Sequence, residues 1–328
     1  MEHIEYSVII RTIGKAGEKY QNLLNSIAGL VPQPRDVIVV LPEGYAEPEE
    51  KLGWETYYYS PKGMVAQRMC GVNMCKTPYA LICDDDVCFG SDFVQKLHEP
   101  IAKGLCGLSA GPLYSFLPVK GPKALVSMLG GASAPTVFHR DRYVSVLRTA
   151  GYSYNRHLQP EKRKFYESQS LAGTCFYADI SALKKVGFSD EIWVDASGYS
   201  AYEDQTMFYK AWLRGIKTIV VADAYYEHQD AKTSTRNNKP IVMRCLAMNR
   251  IIFWHRFIYS MERSWCGRLW AKICFTYRLL WGRIWAYCYY FTKRYSKEDL
   301  RVVRQAHRDA HRYIRSDAYA SLPPVRKG

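Results

Sequence analysis

The chain has 328 residues, 48% of them hydrophobic and 23% charged, a balance that excludes a disordered or fibrous polypeptide and suffices for a large core. Its net charge is +14, but the surplus is local. Residues 241–328 hold 18 Lys and Arg against 5 Asp and Glu, whereas residues 1–240 hold 27 against 26. A basic tail of that kind points to a polyanionic partner, either nucleic acid or an anionic membrane face.

The ten cysteines are scattered and form no Cys-x-x-Cys pair, which argues against both a disulfide framework and a structural zinc site. Reduced, mostly buried thiols in the cytosol are expected. Glu2 and Glu5 precede the first apolar run, so no secretory signal is expected.

In chain order, short apolar runs alternate with helical stretches, the pattern of β/α units. A strand is predicted at Ser7–Ile10, then a helix over Gly17–Leu30 with Leu23, Leu24, Ile27 and Leu30 at helical spacing. A strand at Val37–Leu41, a helix at Gly63–Cys75 and a buried strand at Tyr79–Cys83 follow; the last runs into Asp84-Asp85-Asp86. A helix at Asp92–Lys103 and a strand near Leu105–Ala110 close this half. Residues 113–168 show no sustained period and read as a long functional excursion with a helix around Arg142–Ala150. Order returns with a strand at Leu171–Ala178, helices at Ser181–Val186 and Glu203–Arg214, and a strand at Thr218–Val221. From Ile241 to Pro323 everything reads as helical. The expected organisation is an α/β domain over residues 1–240 and a helical, basic and aromatic region over residues 241–328.

Three adjacent carboxylates at a strand end repel one another unless a cation neutralises them, and the carboxyl ends of strands are where α/β sheets bind ligands. Carboxylates suit Mg²⁺ or Mn²⁺, commonly shared with substrate phosphates. The plainer alternative is a solvated acidic turn. Glu203-Asp204 opens a predicted helix, where acids also serve simply as partners of the helix dipole. Lys162, Arg163 and Lys164 read as a solvated face or as an acceptor-contacting loop.

These motifs, taken together, resemble the family 2 glycosyltransferases. Ser7-Val-Ile-Ile-Arg-Thr12, Val37-Ile-Val-Val-Leu41, Gly63-Met-Val-Ala-Gln-Arg68, the Asp triplet and Ser91-Asp92-Phe93 follow the order of the nucleotide-binding half of that family's GT-A fold. Gly173-Thr-Cys-Phe, Tyr202-Glu203-Asp204, Gly215-Ile-Lys and Glu227-His228 continue the match to about residue 230. The resemblance implies a GT-A-type, mainly parallel mixed sheet and transfer of a sugar, with inversion, from a nucleotide-diphosphate donor to a hydroxyl. It further implies a divalent metal, Mn²⁺ or Mg²⁺. Residue by residue, it places Arg11, Thr12, Glu43, Arg68, Asp84 and Asp85 around the nucleotide. It places Asp86, with Asp84 and His228, at the metal, and makes Asp204 the catalytic base with Glu203 orienting the acceptor. Two positions depart from the family: Arg11 stands where Pro is usual, and Leu41-Pro42-Glu43 replaces an acid directly after the second strand, leaving Glu43 as its stand-in.

Between Arg263 and Lys297 there are eight Lys or Arg and no acid, interleaved with four Trp and five Tyr. Around a helix, Arg268, Lys272 and Arg283 group on one side, flanked by Arg278. Leu269, Ile273, Tyr277, Leu280, Trp281 and Ile284 group on the other. Regular basic interruption excludes a spanning helix, and the composition is that of a helix lying in a membrane interface. Nucleic-acid binding is disfavoured because the aromatic residues lie opposite the charges. The expectation is therefore an enzyme on the cytoplasmic, anionic face of a membrane, acting on a lipid-linked acceptor or a growing glycan. A nucleotidyltransferase is the rival enzyme reading, but Arg11-Thr-Ile-Gly-Lys15 is a poor phosphate loop. A non-catalytic RNA- or membrane-binding protein on a degenerate fold is the rival from another class, and the intact Glu203-Asp204 pair argues against it.

Overall fold

The computed structural model describes residues 4–136, 140–231 and 239–325; Met1–His3, on which part of the leader expectation rests, lie outside them. The chain begins β1 (Tyr6–Arg11), α1 (Glu18–Ala28), β2 (Asp36–Pro42), β3 (Glu55–Ser60), α2 (Met64–Met74) and β4 (Tyr79–Asp84). It continues with β5 (Val87–Phe89), α3 (Phe93–Ala102) and β6 (Leu108–Ala110). The excursion carries α4 (Pro122–Leu129), β7 (Ser133–Pro135), β8 (Val144–Val146), β9 (Tyr152–Tyr154) and β10 (Phe165–Glu167). Then come β11 (Cys175–Asp179), α5 (Ile180–Val186), α6 (Trp193–Ala196), α7 (Glu203–Leu213), β12 (Thr218–Val221) and β13 (Tyr226–His228). The last quarter is α8 (Lys239–Phe253), a π-helical turn at Trp254–Tyr259, α9 (Trp265–Phe291), α10 (Lys297–Ile314) and α11 (Asp317–Ala320).

The central sheet has eight strands in the order β10-β12-β6-β11-β4-β1-β2-β3. Strands β3, β2, β1 and β4 are mutually parallel, as are β6 and β12, while β11 and β10 run antiparallel to their neighbours. The runs Val37–Leu41, Val8–Ile10 and Ala80–Cys83 are apolar without alternation because helices cover both sheet faces, giving one buried cluster on each side. Register does local work here. It pairs Arg11 of β1 with Asp84 of β4, so the two strand ends arrive side by side.

Two expectations are corrected, and one strand was not foreseen. The helix around Arg142–Ala150 is instead the antiparallel pair β8–β9, with Val144 opposite Tyr154 and Val146 opposite Tyr152. Alternating β-branched and aromatic residues suit a pleated surface better than a helix. β3 escaped prediction because its Glu-Thr-Tyr-Tyr-Tyr-Ser run lacks aliphatic residues. Leu171–Thr174 is a loop beneath the site, and the strand starts at Cys175.

Helix α9 leaves most of its expected apolar side open. The helix docks through Ala271 and Phe275, the latter stacked on Trp254 at 4.3 Å. Trp281 turns inward against Gly130, where a Cβ would overlap its indole. Leu269, Ile273, Tyr277, Leu280 and Ile284 remain 41–56% exposed. The apolar side read from the sequence is thus open, and a third face makes the docking contact. No described helix is long and apolar enough to cross a membrane.

Candidate active site

The carboxyl ends of β1 and β4 carry the acidic centre. Arg11, brought beside Asp84 by register, donates from Nε to Oδ1 and from Nη2 to Oδ2, both at 2.8 Å. This bidentate fork occupies both carboxylate oxygens of Asp84. Asp84 therefore stands as the partner of Arg11, and it is Arg11 that neutralises the first acid of the triplet. Burial still pushes the Asp84 carboxyl upward, with Arg11 opposing.

Asp85 is buried and accepts from the Thr12 hydroxyl at 2.5 Å, while Thr12 Oγ1 accepts the Gly14 N–H at 2.9 Å. Burial raises its pKa to about 7, against the lowering effect of the Thr12 hydrogen bond. Gln67 holds the ends of β1 and β2 by donating to the carbonyls of Thr12 and Val40, each at 3.0 Å.

Asp86 faces the short ribbon of β5 and β13, in which Val87 pairs with His228. Its Oδ2 accepts the Ala231 N–H at 2.8 Å, and its main-chain carbonyl accepts from Gln229 at 2.8 Å. Its Oδ1 lies 3.3 Å from His228 Nε2. That separation is an ion-pair distance without the alignment of a hydrogen bond, so Oδ1 is a buried acceptor left unsatisfied by geometry. Burial pushes Asp86 up, but His228 and the Ala231 amide outweigh it and hold the carboxyl low. Burial likewise pushes His228 down, and Asp86 reverses this to raise it. Phe116 meets the His228 ring edge-on at 5.9 Å.

An unsatisfied carboxylate oxygen beside an imidazole nitrogen is a donor set that fits Mn²⁺ or Mg²⁺ shared with phosphate oxygens. Among the described residues no three His, Cys, Asp or Glu side chains converge on a metal position. The Asp86–His228 pair is thus open, with most of any coordination sphere left to water and substrate.

The second centre is the start of α7. Glu203 is buried, and so is Arg68, whose Nη1 pairs with it. Arg68 Nη2 also donates to the Gly173 carbonyl at 2.9 Å, and its guanidinium lies 5.5 Å over the Phe176 ring. The resemblance set Arg68 at the nucleotide; in the structure its side chain is buried against Glu203, the Gly173 loop and Phe176, with its charge felt at Asp84 and Asp204. Glu203 is correspondingly buried and bound to Arg68. Asp204 sits one residue on, bonded to the Gly173 amide and pushed up by burial, with Arg68 opposing. A Cβ on Gly173 would overlap Asp204 Oδ1, so only glycine lets the loop pass under this carboxylate.

Glu43 is exposed beyond β2 and makes no side-chain hydrogen bond or ion pair among the described residues; only its amide is held, by Ser60. Lys164 is bound to Glu99 and lies 3.7 Å from Asp223, so it pins the excursion to α3. Several positioning residues carry no local sequence signal. Asp195 accepts from the Val65 and Ala66 amides at the start of α2, and Lys19 donates to the carbonyls of Gln229 and Asp230 beside His228.

No family model matches the chain, and no curated protein matches it in sequence. Solved structures do. A fragment of S. aureus TarS, residues 1–349, aligns with a TM-score of 0.51 at 15% identity, covering 97% of this chain and 83% of that one. GalNAc-T7, solved with UDP, GalNAc and Mn²⁺, aligns with a TM-score of 0.50 at 12% identity, covering 85% of this chain and 56% of that one. The eight-stranded, mostly parallel sheet with its flanking helices is accordingly a GT-A fold, the fold of nucleotide-sugar glycosyltransferases.

Proposed function

We propose that the protein transfers a sugar from a nucleotide-diphosphate donor to a hydroxyl acceptor with inversion, at an anionic cytoplasmic membrane face. The observation that carries this reading is the placement of two separate carboxylate centres, Asp84–Asp86 and Asp204, about the floor of a GT-A sheet. GalNAc-T7, a structural neighbour, holds UDP and Mn²⁺, which supports a nucleotide donor and a divalent ion.

Thr12, beside Asp85, borders the donor at the end of β1, and Asp85 meets its ribose or the water around the metal. Arg11 holds Asp84 and keeps the donor pocket from accumulating three bare charges. Asp86 and His228 would hold Mn²⁺ or Mg²⁺, and such an ion would supply positive charge to the diphosphate leaving group. Asp204 takes the proton of the acceptor hydroxyl as its oxygen attacks the anomeric carbon opposite the departing diphosphate. Glu203 and Arg68 fix the first turn of α7 and the Gly173 loop, and so fix the Asp204 carboxylate in place. The acceptor is lipid-linked or a growing glycan, and the basic helices keep the enzyme beside it. Conversion of a panel of UDP-, GDP- and dTDP-sugars, with Mn²⁺ and Mg²⁺ supplied separately, tests the reading. Donor turnover that is lost with chelator and with Asp86→Ala is expected; turnover unaffected by both would refute it.

A further inference from the structure

The open side of α9 is not isolated. Tyr277 on that side bonds through its hydroxyl to the Leu129 carbonyl at the end of α4, and Arg278 donates to the next carbonyl, Gly130, at 3.3 Å. Helix α4 leaves Leu125, Met128 and Leu129 at 40–51% exposure, with Val119 just before it at 61%. Along α9 the open positions continue as Leu269, Trp270, Ile273, Leu280, Ile284 and Phe291. Together with Tyr277 and Tyr287, the positions Leu269, Ile273, Leu280, Ile284 and Phe291 recur every three or four residues along one side of a helix about 40 Å long at 1.5 Å per residue. A run of large apolar side chains on two abutting helices far exceeds the scattered exposure of an ordinary surface.

The charges around this surface select its partner. Residues 100–140, which contain α4, hold no Asp or Glu, and neither do residues 263–297. Lys120 and Lys123 flank the start of α4, while Arg268, Lys272 and Arg283, expected opposite the apolar side, run along one edge of the stripe on α9; all five are exposed. At its far end a cleft is lined by Lys293, Arg294, Tyr290, Phe291 and the ion pair of Lys239 with Asp299. Apolar side chains within a basic margin match an anionic bilayer: acyl chains take the former, headgroups the latter.

The surface also leads to the site. Phe116, 42% exposed at the base of the α4 segment, contacts His228, which faces Asp86. Behind α9, Arg278 and Arg250 have no carboxylate partner among the described residues, and Arg250 donates to the Tyr202 hydroxyl one residue before Glu203. Positive charge therefore continues from the bilayer side toward Asp204.

We infer that α4 and α9 together form one face that seats on an anionic bilayer, so that the acceptor is a lipid-anchored hydroxyl compound entering past Phe116. This narrows the acceptor class of the glycosyltransferase reading and rests on it, whereas the seating itself does not. The test uses the full chain and vesicles of phosphatidylcholine alone or with 30% phosphatidylglycerol, about that fraction being a strongly anionic surface.

Binding to anionic vesicles is expected to exceed binding to neutral ones by at least tenfold and to fall with salt. Leu125→Glu with Met128→Glu, far from the basic tail in sequence, is expected to cut vesicle binding tenfold or more. Leu125→Trp is expected to strengthen it. Donor hydrolysis in solution should be unchanged by all three substitutions, and this separates failure of the seating from failure of the enzyme reading. Vesicle binding unaltered by the α4 substitutions would overturn the inference. So would release of the protein from vesicles by RNA, or a dimer in solution that Leu125→Glu dissociates.

Discussion

Asp204 lies in the first turn of α7, where its carboxylate meets the Gly173 amide and feels the Arg68 guanidinium below. Asp204→Asn keeps the shape but cannot take a proton, so donor binding should persist while turnover falls ~10²-fold or more. Equal losses in binding and turnover would mark Asp204 as structural. Gly173→Ala should act through the same atom: its Cβ displaces the carboxylate, so kcat is expected to fall well beyond any change in thermal stability. At the other centre, His228 is held protonated above its ordinary range and Asp85 neutral up to about pH 7. A cation binds the deprotonated forms, so Mn²⁺ affinity should rise as pH increases from about 6 to 8. Calorimetric titration checks this, and His228→Gln should flatten the slope; a pH-independent affinity for the parent protein would contradict it. Asp84–Asp86 and Glu203-Asp204 were legible in the sequence because each is contiguous. The inward turn of Arg68 was not, since the packing face of α2 is chosen by the sheet. Asp195 was equally hidden, because the amides it caps lie 130 residues away.

At the scale of elements, α7 is anchored by a buried ionic hub. Glu191 accepts from Lys210 Nζ at 2.7 Å, from Arg256 Nε at 2.7 Å and from Trp193 Nε1 at 2.7 Å. Lys210 lies on α7 itself, so the hub fixes the helix whose first turn presents Asp204. Removing Glu191 strands the buried Arg256 without a charge partner and leaves Lys210 only Asp190, so Glu191→Ala is expected to cost about 3–5 kcal/mol of stability. Denaturant unfolding measures this, and a loss below about 1 kcal/mol would show the hub to be dispensable. The apolar strands of the central sheet were readable from composition alone, as were helices α1 and α2. The β8–β9 pair and α4 were not. Their segments are short and depend on neighbours contributed by distant parts of the chain: β9 pairs with both β7 and β8, and α4 abuts α9.

At the scale of the whole molecule, the charge asymmetry points to a polyanionic partner for the basic region but does not fix its orientation. Which side of α9 packs inward depends on Trp254 and Gly130, neither of which lies in the helix. The larger buried cluster runs without interruption from the sheet through Ile251, Ile252, Phe253 and Phe257 to Ala271, Phe275 and Ala310. Truncation after Met261 should therefore lower the soluble yield and the unfolding midpoint of what remains. A fragment that unfolds at the parental temperature would show the two parts to be independent.

The Glu191 hub bears on how such a chain can change over generations. Arg256 belongs to the last quarter of the sequence and bonds both Glu191 and the carbonyl of Pro323. A recombination crossover near residue 240 would sever Arg256 from the acid it matches, unless the incoming segment supplied a cation at the same depth. Shuffling that trades the C-terminal helices between relatives should consequently yield mostly misfolded hybrids. Point changes along the open side of α9 touch none of these contacts, and they are the easier path by which the lineage could change what that side meets.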